Sequence, residues 1–117
     1  MIAGIQSALS GLQAYTRKVE NNANNVANVN TSGFKKNRVL LAEQPPQGVR
    51  TSVEQVDTPG AVVAEQTSRG NEMVELSNVD LGEEFPDMMR NVHGYKANLK
   101  TVQAADAMLQ GLLDLKA

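Results

Sequence analysis

The sequence predicts a mainly α-helical fold with a small β insert, in which two long terminal helices form an antiparallel, coiled-coil-like hairpin around a short extended or β-hairpin segment. Three observations predict it. Near the start, Ile2, Ile5, Leu9, Leu12, Thr16, Val19, Ala23, Val26 and Asn30 recur at alternating steps of three and four, the a/d spacing of a heptad repeat. Near the end, Phe85, Met88, Val92, Tyr95, Leu99, Val102, Asp106, Leu109 and Leu113 do the same, interrupted only by Asp106. Between them the period is lost, and turn signals alternate with short runs of β-branched residues.

The first helix, at about 1.5 Å per residue over some twenty-five residues, would span roughly 38 Å. Asn30-Thr31-Ser32-Gly33 ends it, and Gly33 before Phe34 suggests a left-handed turn with the aromatic folded back on the helix end. In the middle, β-compatible runs are expected over 38–42, 49–56, 61–66 and 73–76, separated by Gln44-Pro45-Pro46-Gln47-Gly48 and Thr58-Pro59-Gly60, and forming one or two hairpins. Asp80 is the expected N-cap of the second helix with Glu83 as its capping-box partner, and Pro86 predicts a kink or restart between Glu84 and Pro86. Residues 1–36 and 77–117 are thus expected to form one core domain and 37–76 an insert at its tip. Two helices burying one stripe each against the other are marginal alone, so packing against neighbouring copies is expected to complete them.

Composition bounds the function. The chain of 117 residues has no Trp and only two Phe and two Tyr, so its core must be aliphatic and thin. A net charge of -2 with eleven scattered Lys and Arg leaves no footprint for a polyanion, so no nucleic acid is expected as a partner. Zero Cys excludes disulfides and thiolate metal sites. The start lacks the charged n-region and long apolar run of a cleaved signal, and no run is apolar enough for membrane insertion. Export, if it occurs, is expected to follow a route that reads no such signal.

Two segments go beyond periodicity. Asn21 to Lys36, with Asn-Asn-Val-Ala-Asn-Val-Asn-Thr-Ser-Gly-Phe-Lys at its heart, resembles the N-terminal signature of the bacterial flagellar basal-body rod and hook family. Leu76 to Glu84 with Ser-Asn-Val-Asp-Leu, Tyr95-Lys96-Ala97-Asn98 and Ala105-Asp106-Ala107-Met108-Leu109 resemble that family's C-terminal elements, in the right order. Departures are His93, where the family commonly has Arg two residues before the aromatic, and Pro86 in place of a helix former. The short middle points to a small rod-type axial protein.

The resemblance implies a structural subunit of the basal-body rod that serves flagellum-dependent motility. It implies export from the cytoplasm by the flagellar type III apparatus without signal cleavage, assembly in the periplasm-spanning rod, and a homo-oligomer that also meets other flagellar axial proteins. It implies no enzyme and no cofactor. The expected assembly residues are Leu9, Leu12, Val19, Asn25, Val26, Asn28, Asn30, Gly33 and Phe34 at one end, and Asn78, Asp80, Val92, Tyr95, Asn98, Leu99, Val102 and Leu109 at the other. In that family the terminal helices pack into an inner tubular core and the middle faces outward.

Other readings were weighed against these residues. The Asn at 21, 22, 24, 25, 28 and 30 are either a fraying helix end or, as the resemblance favours, an amide hydrogen-bond lattice between subunits. Asn30-Thr31-Ser32 matches a glycosylation sequon, a pattern frequent by chance. His93 has no further ligands at helical spacing, and catalytic and metal sites are accordingly not expected. Glu83, Glu84 and Asp87 could serve sugar hydrolysis, but an acidic first turn complementing the helix dipole accounts for them without a sugar-stacking aromatic cleft. The alternative from a different class is a soluble coiled-coil adapter that binds a partner helix without forming filaments, for which the Asn-Thr-Ser-Gly-Phe and Ser-Asn-Val-Asp-Leu motifs have no use.

Overall fold

The computed structural model describes residues 2–116. Helix α1 runs over Ile2–Ala27, strands β1 to β4 over Asn37–Glu43, Val49–Gln55, Val62–Thr67 and Gly70–Glu75, and helix α2 over Leu81–Lys116. The fold class is the expected one: two long helices pack antiparallel, and a small β part lies between them in sequence. The strands form two separate antiparallel hairpins, β1–β2 with Val39 opposite Val53 and β3–β4 with Val63 opposite Val74. The last strand begins at Gly70, ahead of the expected 73, because Thr67 and Gly70 close the turn directly.

The ends of the helices follow local chemistry. α1 stops where the Asn28 side-chain amide donates to the Asn24 carbonyl at 2.8 Å, taking one of the acceptors a helix end leaves free. α2 starts on Asp80, whose Oδ1 accepts the Gly82 N–H at 2.9 Å. The expected capping box does not form; the Glu83 carboxylate lies instead 3.4 Å from Lys36 Nζ. Nor does the helix restart at Pro86: it is one continuous element of 36 residues. A proline this early forfeits a single bond, to the Gly82 carbonyl, and that turn is held from outside, because Asn22 donates to both Glu84 and Asp87 on either side of Pro86.

The two helices do not meet through the expected apolar seams. The contacting stripe of α1 carries Ala8, Gly11, Tyr15, Asn22 and Asn25, and that of α2 carries Glu84, Asn91, Gly94 and Asn98. Each lies one residue, about 100° of helix, away from the predicted seam. A Cβ on Gly94 would lie 2.3 Å from the Tyr15 ring, and one on Gly11 2.5 Å from the Asn98 amide, so small residues bring the backbones together. The only buried apolar residues among those described are Ala8 and Ala14.

The β insert is likewise not simply a tip. Hairpin β1–β2 folds back along α1, where Val49 N–H donates to Ser10 Oγ at 3.2 Å and Asn21 donates to the Asn37 carbonyl at 2.7 Å. Hairpin β3–β4 packs on no other described element. The result is an elongated body of 80 × 24 × 20 Å with a radius of gyration of 20.8 Å, against about 13 Å for a compact domain of this length. Its accessible surface, 8250 Å², exceeds the roughly 6,200 Å² of a compact monomer of this mass by about 2,000 Å².

Candidate functional site

Three linked features make up the candidate site: a polar junction between the helices, a turn that launches the insert, and the apolar stripes left outside. At the junction the Asn25 side chain is fully buried and exchanges two bonds with one peptide, donating to the Asn37 carbonyl at 2.9 Å and accepting the Asn37 N–H at 3.1 Å. It also donates to Glu84 Oε1 at 3.0 Å, while Asn22 donates to Glu84 Oε2 at 2.8 Å and Asn91 donates to Asn22 Oδ1 at 2.7 Å. Every buried side-chain N and O among the described residues has a partner. Asn21, Asn22 and Asn25 of the cluster therefore bond within the subunit, while Asn24 and Asn30 are exposed. Glu84 and Asp87, read from the sequence as dipole complements, are the acceptors of this network, and their sequence signal, acids at the helix start, did not distinguish the two roles. Among the described residues no three His, Cys, Asp or Glu gather to hold a metal ion.

The launching turn follows directly. Gly33 has φ +72° and its N–H donates to the Glu75 carbonyl at 2.8 Å; no atom within 4 Å would obstruct a Cβ, so the requirement there is conformational. Phe34 is half-buried next to it, and its carbonyl accepts the Asn78 N–H at 3.3 Å. Asn78 is the hub of this region: its Oδ1 accepts the Lys36 N–H at 2.7 Å, and its amide donates to the carbonyls of Val56 at 2.8 Å and Thr58 at 2.9 Å. One side chain thus joins the segments leaving α1, leaving β2 and entering α2. Beside it Lys35 bonds Glu75, and this bond with the Gly60 N–H holds the Glu75 carboxyl below the ordinary glutamate value. Asn28 caps α1, Asp80 caps α2, and Asn30 is exposed in the turn.

The remaining expected site residues lie on the outer flanks. Leu9, Tyr95, Leu99 and Leu109 are exposed, Leu9 by 51%, and Leu12, Val19, Val26, Val92 and Val102 are half-buried. Of the α2 set, Asn98 packs directly on α1, at Gly11. The two seams do come together on one side, where Thr16 and Val19 meet Val92 and Tyr95 around an apolar cleft of about 250 Å³. By the register of Asn25 with Glu84 and Gly11 with Asn98, the start of α1 lies opposite the region of Ala107. The last turns of α2 therefore project beyond it, with Met108, Leu112, Leu113 and Leu115 exposed. Sequence reasoning missed the roles of Gly11, Tyr15, Asn91 and Gly94; small and amide residues at steps of three and four beside the apolar stripe were the signal available.

Comparison with known proteins places these features. The family described as flagella basal body rod protein matches residues 5–35, and the one described as flagellar basal body rod FlgEFG protein C-terminal matches residues 71–115. Together they contain the junction, the turn and most of both stripes. The flagellar hook protein FlgE of Borreliella burgdorferi is 46% identical over 44 residues, 38% of this chain and 10% of the hook protein. That of Treponema pallidum is 46% identical over 43 residues, covering 37% and 9%. The flagellar basal-body rod protein FlgG of Bacillus subtilis is 32% identical over 71 residues, covering 61% and 27%. The matched regions thus span about a tenth of the hook relatives and about a quarter of the rod relative. With an N-terminal and a C-terminal model matched in order and the motif residues placed at the junction and turn, both ends of the chain are similar to the flagellar basal-body rod and hook family, whose members are structural proteins and not enzymes.

Proposed function

We propose that this chain is a structural axial subunit of the bacterial flagellar basal-body rod, or of a closely related rod or hook-like part, and that it self-assembles through its terminal helices in support of motility. The observation that carries this reading is the placement of the apolar stripes. The helices are joined to each other mainly by amides and glycines, which leaves much of both heptad stripes exposed or half-buried and open to neighbours. Each Leu or Val fully covered on assembly contributes about 1.5 to 3 kcal/mol, so a handful offsets the cost of ordering a copy in a filament. In this reading 1–36 and 77–117 act as one core and 37–76 as the outward-facing insert. Leu9, Leu12, Val19, Val26, Val92, Tyr95, Leu99, Val102 and Leu109 make inter-subunit contacts, and the Asn25, Gly33 and Asn78 set holds each subunit in shape. Partners are further copies and other flagellar axial proteins. Export proceeds through the flagellar type III apparatus to the periplasm-spanning rod.

The test is deletion of the gene scored for basal-body completeness by electron microscopy, complemented with single variants. Leu12→Asp and Leu109→Asp place a charge where assembly dries the surface, at a cost of several kcal/mol. Both are expected to be exported and to leave rods incomplete and cells non-swimming. Normal flagella from either variant would show that the stripe is not an assembly surface.

A further inference from the structure

Along the exposed face of α1 runs a groove of about 670 Å³ whose floor is Leu9, Leu12 and Thr16. Tyr95 of α2 forms one wall, and Val49 and Arg50 of β2 form the other. Arg17, Glu20 and Arg50 also line the groove, and neither arginine forms an ion pair among the described residues. The same chain carries a helix of matching character. The projecting end of α2 presents Leu109, Leu112 and Leu113 as an apolar strip, with Asp106 at its start in the same stripe and Asp114 beside it about 80° around the helix.

We propose that the projecting end of α2 from one copy docks in the α1 groove of the next, its Leu109–Leu113 strip on Leu12 and Thr16 and its Asp106 and Asp114 against Arg17 and Arg50. The inference deepens the axial-subunit reading and rests on it for its setting. Groove and projecting helix are different surfaces, so a contact that is not reciprocated within one pair leaves a groove free on one copy and a projecting helix free on the other, and this head-to-tail arrangement, which can repeat along a filament, is the one proposed.

The chain has no Cys, so single introduced thiols report one contact each. Full-length Thr16→Cys and Leu112→Cys proteins are mixed and oxidised, with Glu65→Cys on the isolated hairpin paired against Leu112→Cys as the control. The expected result is a Thr16–Leu112 cross-link at least tenfold above the control. It should fall to the control level with Arg17→Glu in the groove copy and recover in part when Asp114→Lys is added to the other copy. A Thr16–Leu112 yield equal to the control, or a dominant Leu112–Leu112 product marking a closed tail-to-tail dimer, overturns the proposal. Failure of the axial reading shows separately: rods complete without the gene would end that reading even with the cross-link present, whereas incomplete rods with no cross-link end only this docking mode.

Discussion

A single amide can decide the path of three chain segments, and Asn78 does so by bonding Lys36, Val56 and Thr58 at once. Gly33 sets the direction in which the chain arrives there. Because its φ is +72° with open space around the Cα, Gly33→Val should cost about 1 to 2 kcal/mol and Gly33→Asn much less. Thermal unfolding of the two variants tests this, and equal losses would mean that backbone handedness is not what the turn needs. Gly94 is the opposite case, limited by space: a Cβ would sit 2.3 Å from the Tyr15 ring. Gly94→Ala is expected to destabilise by about 1 to 3 kcal/mol through overpacking, despite alanine's better helix propensity. Adding Tyr15→Leu should recover part of that loss in a double-mutant cycle; strict additivity would argue against the contact. The left-handed turn at Gly33 was legible from the sequence because glycine before an aromatic at a helix end has few other uses, whereas Asn25 and Asn78 stood out by motif and their bonding within the chain was not legible. Nor was Gly94, because its role depends on a ring 79 positions away that only the packed hairpin brings near.

At the scale of elements, the packing of α1 on α2 depends on a polar contact holding register and small residues allowing approach. The heptads were read correctly as helices and incorrectly as the seam between them. Periodicity reports that a stripe is apolar and not which neighbour covers it, and a second stripe of Ala, Gly and Asn with the same period was free to take the internal contact. The insert is tied to the helical end by the Lys35–Glu75 pair. The Lys35 bond first, and the Gly60 N–H second, lower the folded-state pKa of Glu75. A carboxylate lowered on folding stabilises at pH above its unfolded value and loses that contribution as pH falls through its folded value. The link between β4 and the Lys35 and Gly60 segments should therefore persist through neutral and mildly acidic pH and weaken only below the ordinary glutamate range. The Gly60 amide shift followed by NMR is expected to titrate with that low midpoint, and to become pH-independent in Glu75→Gln. A midpoint at or above the ordinary value would contradict the pairing.

For the whole molecule, shape and stability follow from where apolar surface was not buried. With Ala8 and Ala14 as the only buried apolar residues among those described, order should be greatest at the amide junction and least where α2 projects unsupported. Hydrogen exchange on the dilute monomer should show protection falling from residues 18–27 and 84–95 toward 106–116, where amides exchange at close to free-peptide rates. Uniform strong protection to Leu115 would contradict this, and protection of 106–116 that appears only on assembly would support it. By itself the sequence determined the two helices, the four β runs, the turns between them and the likeness of both ends to one family, because period, breakers and motif residues act locally. Tertiary structure alone decided which stripe of each helix faces its partner. That choice depends on how closely two backbones can approach and whether every buried amide finds an acceptor, and both are properties of residues far apart in the chain.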